Sequence, residues 1–215
     1  MMNHMKKVLA IALAALTVTG LLSSCSKKGD QFGTDEQGRT MNEKTGIVYL
    51  IAPDCYAPIS VEDTVYGSSS SSVYHPITGA DPTSWLYGEM GMLLYAEGVT
   101  LPALDKMNVS RLVVLDSAGG GLGEITDGAK IGEAITCYTQ GENEPYSGLL
   151  PPKALYTLRF EDPSLGICYV VNYLEYEGRT EGEKVPYLYC RSEKRFVAVS
   201  DGLRAVVESV IGAES

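Results

Sequence analysis

The sequence predicts an α+β fold that is rich in β-strand, with an antiparallel meander near the C-terminus and a C-terminal helix. In residues 156–161, Tyr156, Leu158 and Phe160 alternate with polar residues, the period of a strand with one face on a core. After Asp201, apolar residues recur three and four positions apart, as on a helix that docks on a sheet. These residues are Leu203, Val206, Val207, Val210 and Ile211.

The N-terminal half predicts fewer regular elements. The apolar, β-branched run 46–51 predicts a strand buried on both faces. Residues 53–82 contain four prolines and a serine run, which predicts a loop-dominated region with a short strand near 59–65. A helix is expected near residues 82–97, with Asp81 as N-cap and a proline at the first helical position.

The middle of the chain predicts strands that lead into the meander. Residues 111–116 form an apolar run typical of a buried strand. Asp127-Gly128 between two apolar segments predicts a tight hairpin, with the returning strand over 129–138. The remaining strands of the meander are expected near residues 166–176, 185–190 and 195–199.

Residues 1–24 have the parts of a secretory signal: two lysines, an apolar core over 8–22 and small residues at the exit. The core contains threonines and a glycine and is shorter than the roughly 18 residues that a membrane-spanning helix needs. Its end, Leu22-Ser23-Ser24-Cys25, resembles the lipobox of bacterial lipoproteins. The resemblance implies cleavage before Cys25, fatty acylation of that cysteine and a cell-envelope location. Ser26, in place of the aspartate that retains such proteins at the inner membrane, favours the outer membrane.

The rest of the chain is predicted to be a tether followed by one domain. Residues 25–45 are polar apart from Phe32 and Met41, which predicts a flexible tether. Residues 46–215 are long enough for a single β-rich globular domain with its own core.

The charge of the chain disfavours some partners. The sequence has 17 basic and 27 acidic residues and a formal charge of −10; removal of Lys6 and Lys7 with the signal makes this −12. An acidic surface disfavours nucleic acid and anionic lipid as partners. The expected partners are the membrane, through the lipid anchor, and a protein or a glycan.

No residue is assigned a catalytic, cofactor-binding or metal-binding role. His75 is the one histidine after the signal, and its Pro/Ser-rich setting carries no protease signature. The glycine-rich run 116–123 follows a strand but lacks the spacing of a phosphate-binding loop. Four glutamates around 178–180 offer carboxylates for calcium without the spacing of a calcium loop, so a solvated hairpin tip is favoured. They are Glu175, Glu177, Glu181 and Glu183.

Two kinds of covalent modification are predicted besides lipidation. Asp63-Thr64-Val65 and Asp116-Ser117-Ala118 resemble the Asp-Ser/Thr-apolar acceptor for O-glycosylation in exported bacterial proteins, which makes Thr64 and Ser117 candidate acceptors. Four cysteines follow Cys25 and allow three complete disulfide pairings. They are Cys55, Cys137, Cys168 and Cys190.

The predicted meander limits which cysteines can pair. If Glu177 faces Val185, Cys168 and Cys190 are four positions out of register, which is roughly 14 Å. A disulfide tolerates Cα atoms no more than about 7 Å apart. We therefore predict that Cys168 and Cys190 are not bonded to each other, and that any bridge reaches back to Cys137 or Cys55.

Three functions remain open. The leading hypothesis is a lipid-anchored envelope binding or assembly component that uses tyrosine-lined loops between Pro53 and Pro82. The first alternative is an envelope glycan hydrolase that uses two carboxylates about 5 to 9.5 Å apart. The second alternative is a purely structural envelope lipoprotein. The candidate carboxylates for the hydrolase are Asp54, Asp63, Asp81 and Glu89.

Overall fold

The structure, a computed structural model, describes residues 29–145, 151–180 and 183–212. The first eight strands are β1 (Asp30–Thr34), β2 (Thr40–Asn42), β3 (Val48–Ile51), β4 (Tyr56–Pro58), β5 (Gly67–Ser68), β6 (Val73–Pro76), β7 (Trp85–Gly88) and β8 (Met92–Ala96). The remaining strands are β9 (Arg111–Leu115), β10 (Gly121–Ile125), β11 (Ala154–Asp162), β12 (Ile167–Glu177), β13 (Lys184–Cys190) and β14 (Arg195–Ala198). The helices are α1 (Gly128–Gln140), α2 (Asp201–Ile211) and a 3₁₀ turn (Leu104–Lys106).

The strands form a closed barrel and a separate sheet. The barrel order is β1-β2-β3-β8-β7-β6-β5, and the parallel pairing of β5 with β1 closes it. The second sheet has the order β10-β9-β11-β12-β13-β14, and β4 also pairs with β12. All its pairings are antiparallel. The predicted β-rich α+β class, the C-terminal meander and the C-terminal helix are confirmed.

Two hydrophobic cores hold these layers. One fills the barrel and consists of Phe32, Tyr49, Tyr74, Leu86, Leu94 and Ala96. The larger one lies between the second sheet and the two helices, and includes Leu112, Phe160, Tyr169, Leu188 and Val207. The barrel wall belongs to both, because Trp85 and Leu93 face the larger core while their neighbours face the barrel.

The predicted tether is wrong from residue 30 onward. Strands β1 and β2 form part of the barrel wall, with Phe32 opposite Asn42. Phe32 is 1 % exposed, and Asn42 is fully buried with its amide donating to Asp30 at 3.1 Å. The segment is polar because its short strands bury few side chains. That composition resembles a linker, although β1 and β2 each pair with a neighbouring strand on both sides.

The predicted helix near 82–97 is wrong; the segment is the β7–β8 hairpin. Asp81 caps a turn by accepting a hydrogen bond from Thr83 N at 2.9 Å. Gly91 adopts φ +80° at the hairpin tip, a conformation that favours glycine. Both strands lie between the two cores, so their apolar residues are consecutive. In the sequence, these pairs of consecutive apolar residues have the same spacing as the apolar face of an amphipathic helix.

The predicted hairpin at Asp127-Gly128 is also wrong. The Asp127 side chain accepts hydrogen bonds from Ala129 N and Lys130 N at 2.8 and 3.2 Å, so it is the N-cap of α1. Residues 129–138 are therefore helical, not a returning strand. Asp-Gly is common both in tight turns and at the start of helices. Here the helix is favoured because it buries Ile131 and Ala134 on one face.

Other N-terminal predictions are partly right. A strand occurs at β3, but only Tyr49 of its residues is buried, and Ile51 is 64 % exposed. The strand expected near 59–65 is replaced by β4 and a single bridge between Val61 and Ile77.

The C-terminal helix begins one residue from the predicted position, with Ser200 as its cap.

The predicted signal and Cys25 lie outside the described residues. Among the residues that are described, no helix has both the length and the apolar character to cross a membrane.

Candidate functional site

A cavity of about 260 Å³ lies beside the turn that joins β13 and β14. We call it the turn pocket. Four elements supply its walls: the 3₁₀ turn, the last turn of α1, strand β12 and the start of β14. Its main lining residues are Leu104, Asp105, Tyr138, Tyr169, Glu193 and Arg195.

Arg195 fixes one wall of the pocket by capping α1. Its Nε donates to the Tyr138 carbonyl at 2.8 Å, and its Nη2 donates to the carbonyls of Thr139 and Gly141 at 3.1 and 2.8 Å. The last carbonyls of a helix have no intrahelical partner and carry negative partial charge, so a guanidinium is a favourable cap. The guanidinium also lies 5.4 Å from the Tyr138 ring centroid. The cap therefore holds Tyr138 in position.

Two phenols and a carboxylate form the polar centre of the pocket. The Tyr138 hydroxyl donates to Glu193 Oε2 at 2.6 Å, and the Tyr169 ring lies 6.0 Å from the Tyr138 ring, measured between centroids, on the wall of the same cavity. Burial, followed by interaction with Glu193, raises the pKa of Tyr138 and of Tyr169 well above the ordinary phenol value. Both phenols therefore stay protonated, and Tyr138 acts as a donor to Glu193.

A pair of buried thiols lies next to this centre. Cys55 and Cys190 are each 3 % exposed. Both belong to the same core cluster as Tyr138 and Tyr169, and Cys190 Sγ lies 3.3 Å from Ser192 Oγ. Interaction with Cys190, and then burial, raises the pKa of the Cys55 thiol, whereas interaction with Cys55 lowers the pKa of the Cys190 thiol. The two thiols therefore lie close enough to influence each other, beside the phenols of the pocket.

The turn pocket can hold a small polar group. Its volume is below the roughly 300 to 1,000 Å³ of pockets for drug-sized ligands. Asp105 and Glu193 outnumber Arg195, whose Nε and Nη2 donate to carbonyls at the end of α1. An aromatic, mildly acidic pocket of this size suits a single cationic side chain or amine.

A second cavity, of about 320 Å³, is lined by Tyr189 and Lys194 on the β13–β14 side. Its other wall comes from the chain after α1, at Asn143, Glu144 and Pro145. The side chain of Asn143 accepts a hydrogen bond from Phe196 N at 2.8 Å, which joins this segment to β14. Both cavities thus border one short segment, residues 191–194.

The tyrosines predicted to line binding loops are packed instead. Tyr74 lies in the barrel core, and Tyr66 packs edge-on against Phe32 at 6.2 Å. Tyr56 donates from its hydroxyl to the Pro102 carbonyl at 2.8 Å. The region 53–82 contributes β5 and β6 to the barrel and β4 to the second sheet, and these three tyrosines pack against them, so the expectation of tyrosine-lined loops there is wrong.

The other candidates are dispersed. The four candidate carboxylates are exposed and lie in four different turns. His75 lies on β6, with Nδ1 3.1 Å from the Thr64 carbonyl. The glycine-rich run makes the β9–β10 turn, in which Asp116 accepts from Ala118 N and Gly120 N. The dispersed carboxylates are Asp54, Asp63, Asp81 and Glu89.

The glutamate cluster and the modification sites are also placed. Glu175 is 3 % exposed and pairs with Lys184 at 3.0 Å; Glu181 lies outside the described residues. No group of three or more metal-ligating side chains occurs within the described ranges. Thr64 and Ser117 are exposed in turns, so both are accessible, and their glycosylation stays a prediction.

No protein-family model, curated protein or solved structure matches the chain.

Proposed function

We propose that the protein is a lipid-anchored binding or assembly component of the bacterial cell envelope, at the outer membrane, and that it binds its partner at the turn pocket. The lipobox ending at Cys25 supports the anchor. The observation that carries the binding role is the convergence of Tyr138, Tyr169 and Glu193 on one small cavity. A purely structural lipoprotein would not need such a cavity.

The partner is expected to present a cationic group. Glu193 accepts a hydrogen bond from the Tyr138 hydroxyl and presents its carboxylate to the pocket, where no basic side chain pairs with it among the described residues. A lysine or arginine side chain of a partner protein would supply the compensating charge and stack on the tyrosine rings. The acidic charge of the whole chain would add attraction over a longer range.

An anchor at Cys25 would hold the barrel close to the membrane. Only four residues, 26–29, separate Cys25 from β1, and they span about 14 Å at most. The register places the ends of β1, β3 and β7 at the other end of the barrel. Ile51 and Met90, which are 64 % and 77 % exposed, lie at that distal end. Exposed apolar residues there would face away from the lipid.

Replacing Cys25 with serine is expected to release the protein from membranes. The thiol is the acylation site in the proposed lipoprotein, and two or more fatty chains supply stable anchoring that this polar chain lacks. Fractionation of cells and blotting of pellet and supernatant measure the change. Cys137→Ser is the matched control and should stay in the pellet. A folded Cys25→Ser variant that still pellets in high salt contradicts the anchor.

Glu193→Gln is expected to weaken partner capture about tenfold or more, because a hydrogen bond to a charged group contributes about 1.5 to 3 kcal/mol. The measurement is quantitative capture from detergent-solubilised envelopes with the immobilised protein. Glu177→Gln is the control, because Glu177 is exposed and pairs with Lys153. Equal capture by the two variants, or capture of nothing by the wild type, would rule out binding at the pocket. Turnover of envelope glycans by the purified protein would favour the hydrolase.

A further inference from the structure

The sheet register brings Cys55 and Cys190 together along one edge of β12. Strand β11 occupies the other edge of β12 from Ile167 to Glu175. Strands β4 and β13 therefore share the remaining edge, with β4 opposite residues 167–169 and β13 opposite residues 172–177. The two strands meet end to end in the gap between these ranges.

The gap is where the two cysteines lie. Val170 N donates to the Cys55 carbonyl at 2.7 Å, so Cys55 is opposite Val170. Because Asn172 faces Tyr189, Cys190 is opposite Val171. Neighbouring positions along a strand are separated by about 3.4 Å, so the register allows the two Cα atoms to lie within the about 7 Å that a disulfide tolerates. Cys55 lies just before the start of β4, where its side chain need not follow the alternation of the strand, and both cysteines are buried in the same core cluster.

The other two cysteines are engaged elsewhere. Cys168 faces Glu161 and Ala57 across the sheet, three positions from the residue opposite Cys190, or roughly 10 Å. This spacing supports the prediction that Cys168 and Cys190 are not bonded. Cys137 lies on α1, where its sulfur contacts the Ala198 carbonyl and Ser200 N.

We propose that Cys55 and Cys190 form a disulfide when the exported chain folds, and that this bridge joins the segment between β3 and β4 to the end of β13. The four thiols of the described residues are free in the structure, so the bridge requires an oxidant. A disulfide donor of the thiol–disulfide oxidoreductase class, or oxidised glutathione, supplies it.

The exchange proceeds in two balanced steps. The Cys190 thiolate attacks the donor disulfide, which gives a mixed disulfide and releases one donor thiolate. The Cys55 sulfur then attacks Cys190 Sγ, closes the bridge and releases the second donor thiolate. The two protons lost by the cysteines end on the donor, which leaves as a dithiol if it is an oxidoreductase, or as two thiols if it is glutathione. Both sites are buried in the folded chain, so exchange occurs during folding.

The experiment uses the full chain, unfolded and reduced, then refolded with reduced and oxidised glutathione, alkylated and digested with trypsin. Lysine and arginine positions place each of the four cysteines on its own tryptic peptide: 45–106, 131–153, 160–179 and 185–191. The expected main product is peptide 45–106 linked to peptide 185–191. A main product linking peptide 160–179 or 131–153 to either one, or full alkylation of Cys55 and Cys190, overturns the proposal.

Thermal unfolding gives a second, independent readout. The bridge closes a long loop, so adding a reductant should lower the Tm of the wild type by roughly 5 to 15 °C. Cys137→Ala is the control and should keep this shift, whereas Cys55→Ala should lose it. A shift that persists in Cys55→Ala would contradict the pairing. The refolding assay needs no lipid anchor, so its outcome is separate from that of the Cys25→Ser fractionation.

Discussion

Replacing Phe32 with alanine is expected to lower the free energy of unfolding by about 3–5 kcal/mol. The ring is 1 % exposed and lies 4.5 Å from the ring of Tyr74 and 5.9 Å from that of Tyr49, measured between centroids. It also packs against the backbone of Gly67, where any larger side chain would collide with it. Its removal leaves a cavity at the seam where β1 closes the barrel on β5.

Urea denaturation followed by circular dichroism measures this loss. The matched control is Met90→Ala, which also removes a large apolar side chain but one that is 77 % exposed. A change within about 0.5 kcal/mol is expected for the control. If Phe32→Ala is as mild as the control, residues 30–34 do not belong to the barrel, and the flexible tether predicted from the sequence is right.

The meander and the C-terminal helix could be predicted because their patterns are local. In β11 and β13 the side chains alternate between the core and the outer face, as Leu158 and Phe160 show. In α2 the buried residues Leu203, Val206 and Val207 have the helical period. The pattern that identifies each of these elements lies within its own residues, so a single sequence is sufficient to predict it.

The barrel could not be predicted, because its strands are short and its closure is non-local. β5 has two residues and β2 has three, which is too few to show a period. The pairing of β1 with β5 places Asp30 opposite Gly67, and no local sequence pattern predicts this pairing. β7 and β8 do have a strong apolar pattern. Because both strands are buried between two cores, their apolar residues do not alternate with polar ones, so the pattern lacks the period of two that indicates a strand.

The turn pocket cannot be predicted from the sequence for related reasons. The sequence pattern places Tyr138 on a strand, because Asp127-Gly128 predicts a hairpin turn. Glu193 lies in an ordinary polar turn, and its role depends on contact with α1, 55 residues away along the chain. The register predicted for the meander excludes the Cys168–Cys190 pair and leaves Cys55 and Cys137 as candidate partners. Only β4, a three-residue strand without a sequence signal, brings Cys55 next to Cys190.

The ion pairs of the second sheet make a further prediction, because they differ in burial. Glu161 is 3 % exposed and accepts from Arg111 Nε and Nη2 at 2.8 and 2.6 Å. Its other oxygen lies 3.3 Å from Arg159 Nη2. Glu177 pairs with Lys153 at 3.1 Å, with both side chains largely exposed. The two carboxylates thus represent a buried and a surface pair in one domain.

Glu161→Ala is expected to destabilise the protein by about 3 kcal/mol, because removing one partner of a buried pair leaves uncompensated charge. Breaking a buried ion pair costs about 3 to 5 kcal/mol. The lower end of that range is expected here, since Arg111 is 42 % exposed and keeps Glu124 as a partner. Glu177→Ala should cost about 0.2 to 1 kcal/mol, and only its effect should vanish at high salt. Glu161→Gln keeps the shape and loses the charge, so it should fall between the alanine variant and the wild type. Urea titrations at low salt measure the free energy of unfolding of both alanine variants. Equal decreases would mean that Glu161 is accessible to water between β9 and β11.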